Sequence, residues 1–128
     1  MSNCVLDASA LLTVIYEERG SAAVTDFIAE GAAISTVNIA EVAAKLHEAG
    51  QEGTAIRAMI TSLRLETIAF DATLAYRAGA LRLVTKPLGL SLGDRACLAL
   101  AQQLGVPAIT ADRAWSRLSL DIPIHVIR

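Results

Sequence analysis

Aromatic residues are scarce in this chain. They make up 4% of its 128 residues against 54% for all hydrophobic types, so any core it builds is aliphatic. Cysteine is scarcer still. Cys4 and Cys97 lie in apolar surroundings, with no C-x-x-C spacing and no nearby histidine, which excludes a disulfide framework and a cysteine zinc site. They read as buried free thiols, in keeping with a reducing cytoplasm. His47 and His125 are isolated and far apart in the chain, so histidine-based zinc chemistry is not expected either. Long hydrophobic runs are missing too. The longest uncharged run, Ala96 to Ala111, is broken by Gln102, Gln103, Gly105 and Pro107, which leaves no membrane span. The opening "MSNCVLD" has no basic stretch followed by an apolar one, so no secretory leader is expected. With a formal charge of −2 there is no basic surplus to attract a nucleic acid.

What is present is a regular alternation. A chain of 128 residues is long enough for one domain with a real core, here taken as residues 1–128. "CVLDA" (4–8), "AAIST" (32–36), "LETIAF" (65–70), "PAITA" (107–111) and "IHVI" (124–127) read as strands. Helical patterns fall between them near 9–18, 21–30, 38–49, 52–64, 72–84 and 92–104, with a short turn near 113–118. Gly20, Gly31, Gly50 and Gly105 punctuate the helix ends, and Pro87 and Gly89 mark the loop before Ser91. Short apolar strands separated by helices imply a parallel sheet covered on both faces, hence an α/β sandwich of four or five strands.

Acids punctuate this pattern at particular places. In an open α/β sheet, sites form in the crevice beyond the carboxyl ends of the strands. Asp7 ends the first strand, Asp112 follows the fourth, Glu41 lies one turn into the helix after the second, and Asp94 opens another helix. All four can face one edge of the sheet. Two carboxylates 4 Å apart repel by about 4 kcal/mol at an effective dielectric of ~20, and a hard divalent cation relieves that repulsion. Mg²⁺ is held by a few carboxylates with waters and substrate phosphates, and Mn²⁺ behaves similarly. Such a site suits phosphodiester hydrolysis. With four of the 13 acids set aside in one pocket, the remaining charge is mildly basic against 11 Lys+Arg.

Each acid also has a plain structural reading. Asp7 in "VLDASALL" can cap the first helix, and Asp112 in "TADRAW" can cap the turn that follows. Glu41 can pair with Lys45 on a solvated face. "SLGD" has the form of a capping box with Ser91 as cap and Asp94 as its partner. The readings are compatible, because a carboxylate at a helix N-terminus can also meet a metal. Glu17, Glu18, Glu30, Glu48 and Glu52, on loops or near helix C-terminal ends, read as solvated surface, and Asp71 as the cap of the helix from Ala72.

Taken in order, "VLDASALL", "ISTVNIAEVAAKL", "LGLSLGDRACLALAQQLGVPAITADRAW" and "IPIHVI" run from end to end of the chain. With that order and spacing the chain resembles the PIN-domain nucleases, most closely the VapC-type toxins of toxin–antitoxin pairs. No single motif decides this; the ordered set does. The resemblance implies a PIN-like three-layer sandwich with a central four- to five-stranded parallel sheet. It makes Asp7, Glu41, Asp94 and Asp112 the acidic quartet that binds Mg²⁺ or Mn²⁺. Asp7 and Asp94 would be the most direct ligands, with Glu41 and Asp112 completing the site. It further implies cytoplasmic endoribonuclease activity on an RNA substrate, a homodimer, and inhibition by a small antitoxin protein. Ser9 and Thr110 can hydrogen-bond the carboxylates or serve plain structural roles.

Other residues admit two readings. Arg77, Arg82, Lys86, Arg95, Arg113 and Arg117 suit either phosphate contacts along an RNA path or a solvated surface. Trp115 can stack on a base or anchor the core. "ALLTVIY" followed by "AAVTDFIA" supplies aliphatic surface for a partner through the first two helices, where Tyr16 and Phe27 are candidates for contact or for core packing.

Three rival functions are weighed against this. A phosphoryl-receiver domain needs adjacent acids after its first strand, and "LDAS" has one. An Asp-x-Asp phosphatase fails because position 9 is serine. A catalytically inactive PIN-like module that only binds RNA or a partner remains the alternative.

Overall fold

Five short strands form one parallel sheet in the computed structural model, which describes every residue from Met1 to Arg128. In chain order the elements are β1 (Cys4–Leu6), α1 (Ala8–Ile15), α2 (Ser21–Glu30), β2 (Ala32–Ser35), α3 (Thr36–Glu48), α4 (Gly53–Ser62), β3 (Glu66–Ile68), α5 (Ala72–Ala80), α6 (Arg82–Thr85), α7 (Leu92–Leu104), β4 (Ala108–Thr110) and β5 (Ile124–Val126). Two 3-10 turns, Lys86–Leu88 and Arg113–Arg117, complete the list.

The sheet order is β3-β2-β1-β4-β5. β1 is central, with Leu6 in register with Ile34 on one side and Ile109 on the other. The chain winds outward from β1 in one direction through β2 and β3, then in the other through β4 and β5. The carboxyl ends of β1 and β4 are therefore the topological switch point, where such sheets open a crevice.

Strand side chains alternate between two apolar layers. Val5, Ala33 and Ala108 pack on one side with Leu74 and Ala78 of α5 and Cys97–Ala101 of α7. Cys4, Leu6, Ala32 and Ile109 turn the other way, onto Ala10 of α1 and Val24 of α2. Ile34 shares that second side with Leu11, Leu12, Val42, Leu46 and Ile56. Both faces are thus covered, so β1, β2 and β4 are buried throughout and apolar except at the carboxyl ends of β2 and β4, where Ser35 and Thr110 stand.

Local chemistry sets the helix ends. Asp7, Ser35, Asp71 and Ser91 each accept a backbone N–H from the first turn of the following helix. α7 stops at Gly105, whose left-handed φ of 68° allows Val106 N–H to reach back to the Ala101 carbonyl at 3.1 Å.

The structure trims some sequence expectations. The strands are one to three residues shorter than the sequence suggests; β1 stops before Asp7 and β2 stops at Ser35, the residues that cap the helices directly following them. The stretch read as one helix over 72–84 is two, broken at Leu81, and the Thr85 hydroxyl returns to the Leu81 carbonyl at 2.8 Å, a local bond of the kind that bends helices. The aliphatic side chains of α1 and α2 are spent on the core: Leu11, Leu12 and Val24 are buried, and Val14, Phe27 and Ile28 pack on the same clusters. Among large apolar side chains the exposed ones lie mostly elsewhere, at Tyr76, Leu83, Val84 and Leu92. No helix is long and apolar enough to cross a membrane.

Candidate active site

Asp7 follows β1 at the switch point and is 4% exposed. Its Oδ1 accepts the Ala10 N–H at 2.8 Å, capping α1, and the Ser9 hydroxyl at 2.7 Å. Its Oδ2 accepts the Thr110 hydroxyl, at the end of the neighbouring β4, at 2.5 Å. The parallel pairing of β1 with β4 brings residues so distant in sequence together. Burial pushes the Asp7 carboxyl up from 3.8 to about 6. The hydrogen bonds from Thr110, Ser9 and Ala10 oppose that rise, and the charge of Asp94 adds to it.

Asp94 sits in the first turn of α7. The Ser91 side chain accepts the Asp94 amide at 3.2 Å, and the Asp94 carboxylate accepts the Ser91 amide at 2.9 Å, a complete capping box. Asp112 caps the 3-10 turn after β4, accepting Ala114 N–H at 2.9 Å, while its own amide donates to the Thr110 hydroxyl oxygen at 3.0 Å. Glu41 projects from the second turn of α3, where the buried Asn38 amide donates to its Oε1 at 2.7 Å.

All four acids line one cavity of about 410 Å³, with Ala8, Ser9, Leu12, Tyr16, Glu18, Lys45 and Arg128. The Cys97 thiol, one turn along α7 from Asp94, registers the same convergence. It is raised well above its usual range by burial first, and then by Asp7, Asp94 and Glu41. Cys4 is pushed up by burial to about 11, so both thiols are buried, protonated and free, as the sequence suggests.

The structural roles proposed for Asp7, Asp94, Asp112 and Asp71 as caps are therefore real, and the first three coexist with a shared cavity. The Glu41–Lys45 ion pair does not form; the one ion pair in the protein joins Arg128 to Glu18 at 3.4 Å. Glu18 is exposed yet faces the cavity, which its position before a loop did not suggest. None of Arg77, Arg82, Lys86, Arg95, Arg113 or Arg117 lines the cavity. Arg95 donates to the Ala78 carbonyl at 3.0 Å, Arg77 to Gln102 at 3.3 Å and Arg113 to the Arg128 carbonyl at 3.2 Å. The cations at the cavity are instead Lys45, one helical turn beyond Glu41, and Arg128. Trp115 is fully buried in the core. Phe27 packs inward and meets His125 edge-on, with ring centroids 4.9 Å apart, whereas Tyr16 stays half exposed at the cavity.

No three of the His, Cys, Asp and Glu side chains stand close enough to enclose a metal ion as a ready-made cage. The donor set nonetheless fits a hard dication. It consists of carboxylate oxygens alone, none ion-paired, and one of them is buried against its preference for charge. Mg²⁺ needs only one or two carboxylates directly and keeps several waters, so an open cavity suits it better than a closed cage.

Fold and cavity together define an α/β domain with an acidic crevice at its topological switch point. That domain is a PIN domain: residues 4–120 match the model of the PIN domain family, and the chain belongs to it. No curated protein matches the chain. Among solved structures it is similar to a chain of VapBC2 from Rickettsia felis bound to a DNA fragment from their promoter (17% identity, TM-score 0.76, 98% of each chain covered). It is similar also to DNA-bound VapBC from Salmonella typhimurium (18% identity, TM-score 0.73, 100% of each chain). A third is a toxin–antitoxin complex from Klebsiella pneumoniae (24% identity, TM-score 0.71, 91% of this chain and 92% of that one). At such identities the likeness establishes the fold, the PIN-like sandwich with a five-stranded parallel sheet.

Proposed function

We propose that residues 1–128 form one PIN domain acting as a Mg²⁺- or Mn²⁺-dependent endoribonuclease, the toxin of a VapBC-type toxin–antitoxin pair. The observation that carries this reading is the cavity lined by Asp7, Glu41, Asp94 and Asp112, none of which has a cationic partner within the protein. A carboxylate as buried as Asp7 is costly to charge without one. In this reading Asp7 and Asp94 hold the ion most directly, and Glu41 and Asp112 complete the site. Bound there, Mg²⁺ or Mn²⁺ supplies activated water and neutralises charge on phosphorus.

The chain's own groups do the positioning. Ser9 and Thr110 fix the two oxygens of Asp7 by donating to them, which keeps the carboxylate in its ionised orientation. Lys45, which has no ion-pair partner, places positive charge at the cavity where the phosphate backbone of an RNA passes, a sequence-independent contact, with Arg128 beside it paired to Glu18. The toxin role draws on the VapBC complexes that share the fold, and with it come a small antitoxin as partner, a homodimer and action in the cytoplasm.

The test is cleavage of RNA by the purified protein. Cutting should require Mg²⁺ or Mn²⁺, stop in EDTA and in Asp7→Asn, and leave 5′-phosphate and 3′-hydroxyl ends. Products with a 2′,3′-cyclic phosphate and full activity in EDTA overturn the mechanism. One observation favours a catalytically inactive binding module instead: three of the four acids already serve as caps. RNA binding without cleavage under every metal condition is its signature.

A further inference from the structure

We infer that Asn38 and Gly93 form a seat for the Glu41 carboxylate and are positioning residues for the metal ligand set; this rests on the nuclease reading above. Asn38 is buried in α3, one turn before Glu41. Its single Nδ2 group spends one hydrogen on Glu41 Oε1 at 2.7 Å and the other on the Gly93 carbonyl in α7 at 3.1 Å. One amide thus ties a carboxylate on one helix to the backbone of another. Its Oδ1, buried as well, has no partner, so the side chain is oriented by its donor end alone.

Gly93 completes the seat by lacking a side chain. It is the second residue of α7, is buried, and has no left-handed backbone to explain a glycine. A Cβ at this position collides with all three atoms of the Glu41 carboxylate group, which are its nearest neighbours. The space a side chain would fill is the space Glu41 occupies. The next residue is Asp94, so the same turn that admits Glu41 also delivers the neighbouring acid. Glycine inside a helix otherwise weakens it relative to alanine. The glycine makes sense as room for a carboxylate brought up to the α7 N-terminus, where the helix dipole favours negative charge.

A substitution can separate this role from plain packing. Gly93→Ala improves the helix while evicting the carboxylate, so melting of the metal-free protein should stay level or rise. Its Mn²⁺ affinity, measured by calorimetry, should fall about 10- to 100-fold, the usual effect of disturbing groups that orient metal ligands. Asn38→Ala should weaken Mn²⁺ binding to a similar degree. In a Glu41→Ala background, adding Gly93→Ala should cost no further affinity, since the effect runs through Glu41. If Gly93→Ala melts lower, Glu41→Ala should restore it, which locates the same collision. Wild-type Mn²⁺ affinity in Gly93→Ala, or an equal further loss in the Glu41→Ala background, overturns the inference while leaving the nuclease reading standing. An unsubstituted protein that binds no Mn²⁺ overturns both.

Discussion

Thr110 and Asp7 join the carboxyl ends of the two central strands: the Thr110 hydroxyl donates to Asp7 Oδ2 at 2.5 Å and accepts the Asp112 amide at 3.0 Å. One hydroxyl therefore orders two of the four cavity acids. It also works against the burial that raises the Asp7 carboxyl.

Replacing that hydroxyl by a methyl group tests the link. Thr110→Val keeps the shape but leaves a buried carboxylate oxygen without its donor, a loss of roughly 1–3 kcal/mol when the group is charged. Metal-free stability should fall more at pH 8, where Asp7 is ionised, than at pH 5, where it carries its own proton. Urea unfolding at the two pH values measures this. An equal loss at both would show that the hydroxyl matters through packing and the Asp112 amide rather than through the Asp7 charge.

The Asp7 carboxyl sets a pH dependence of definite sign. Its folded value of about 6 lies above the ordinary 3.8, so between them the folded protein keeps a proton that the unfolded chain has released. Its contribution to stability is full below about 3.8 and is lost as pH rises through about 6. At about 1.4 kcal/mol per pH unit the loss is on the order of 3 kcal/mol in metal-free protein. Asp7→Asn should lack this fall and be the more stable protein at neutral pH. Denaturant titrations from pH 4 to pH 8 compare the two, and parallel profiles would count against the burial of charge at this position.

For Asp94→Asn, cap and cavity roles separate with pH. Asparagine can still accept the Ser91 amide but loses its charge at the helix N-terminus, a cost of roughly 0.3–1 kcal/mol. At pH 5, with Asp7 protonated, that cost should appear by itself. At pH 8 relief of repulsion from ionised Asp7 should shrink or reverse it. The mutant should also gain less stability from added Mg²⁺, because a ligand bound only by the folded state stabilises according to its occupancy. A mutant equally destabilised at both pH values, with an intact Mg²⁺ response, would mean that Asp94 is a cap and nothing more.

Trp115, fully buried among the α5 and α7 side chains, should behave as core. Trp115→Ala should cost about 3–5 kcal/mol. Trp115→Phe should cost much less, because the indole N–H has no partner to lose. RNA cleavage by the phenylalanine variant should match wild type at a temperature where both are folded. Selective loss of RNA binding in that variant would instead point to base stacking.

Much of the architecture is legible along the chain because its signals are local. A carboxylate or hydroxyl before each of α1, α3, α5 and α7 starts the helix, glycine follows α2 and α7, and the apolar runs between them are too short for anything but strands. Parallel pairing then sends Asp7 and Asp112 to the same edge, since each follows its strand. The quartet could be proposed on those grounds together with the resemblance to PIN nucleases.

Packing between helices decided the rest. That Lys45 and Arg128 reach the cavity, while six other basic residues do not, depends on how α3 and the chain end lie against the sheet. That the apolar sides of α1 and α2 are consumed by the core depends on the depth of the layers on each face. Asn38 and Gly93 are 55 residues apart, and nothing in either segment names the other. The reason is physical: capping and periodicity act within a turn or two of chain, whereas a glycine's missing Cβ has meaning only once another helix has brought a carboxylate into the space.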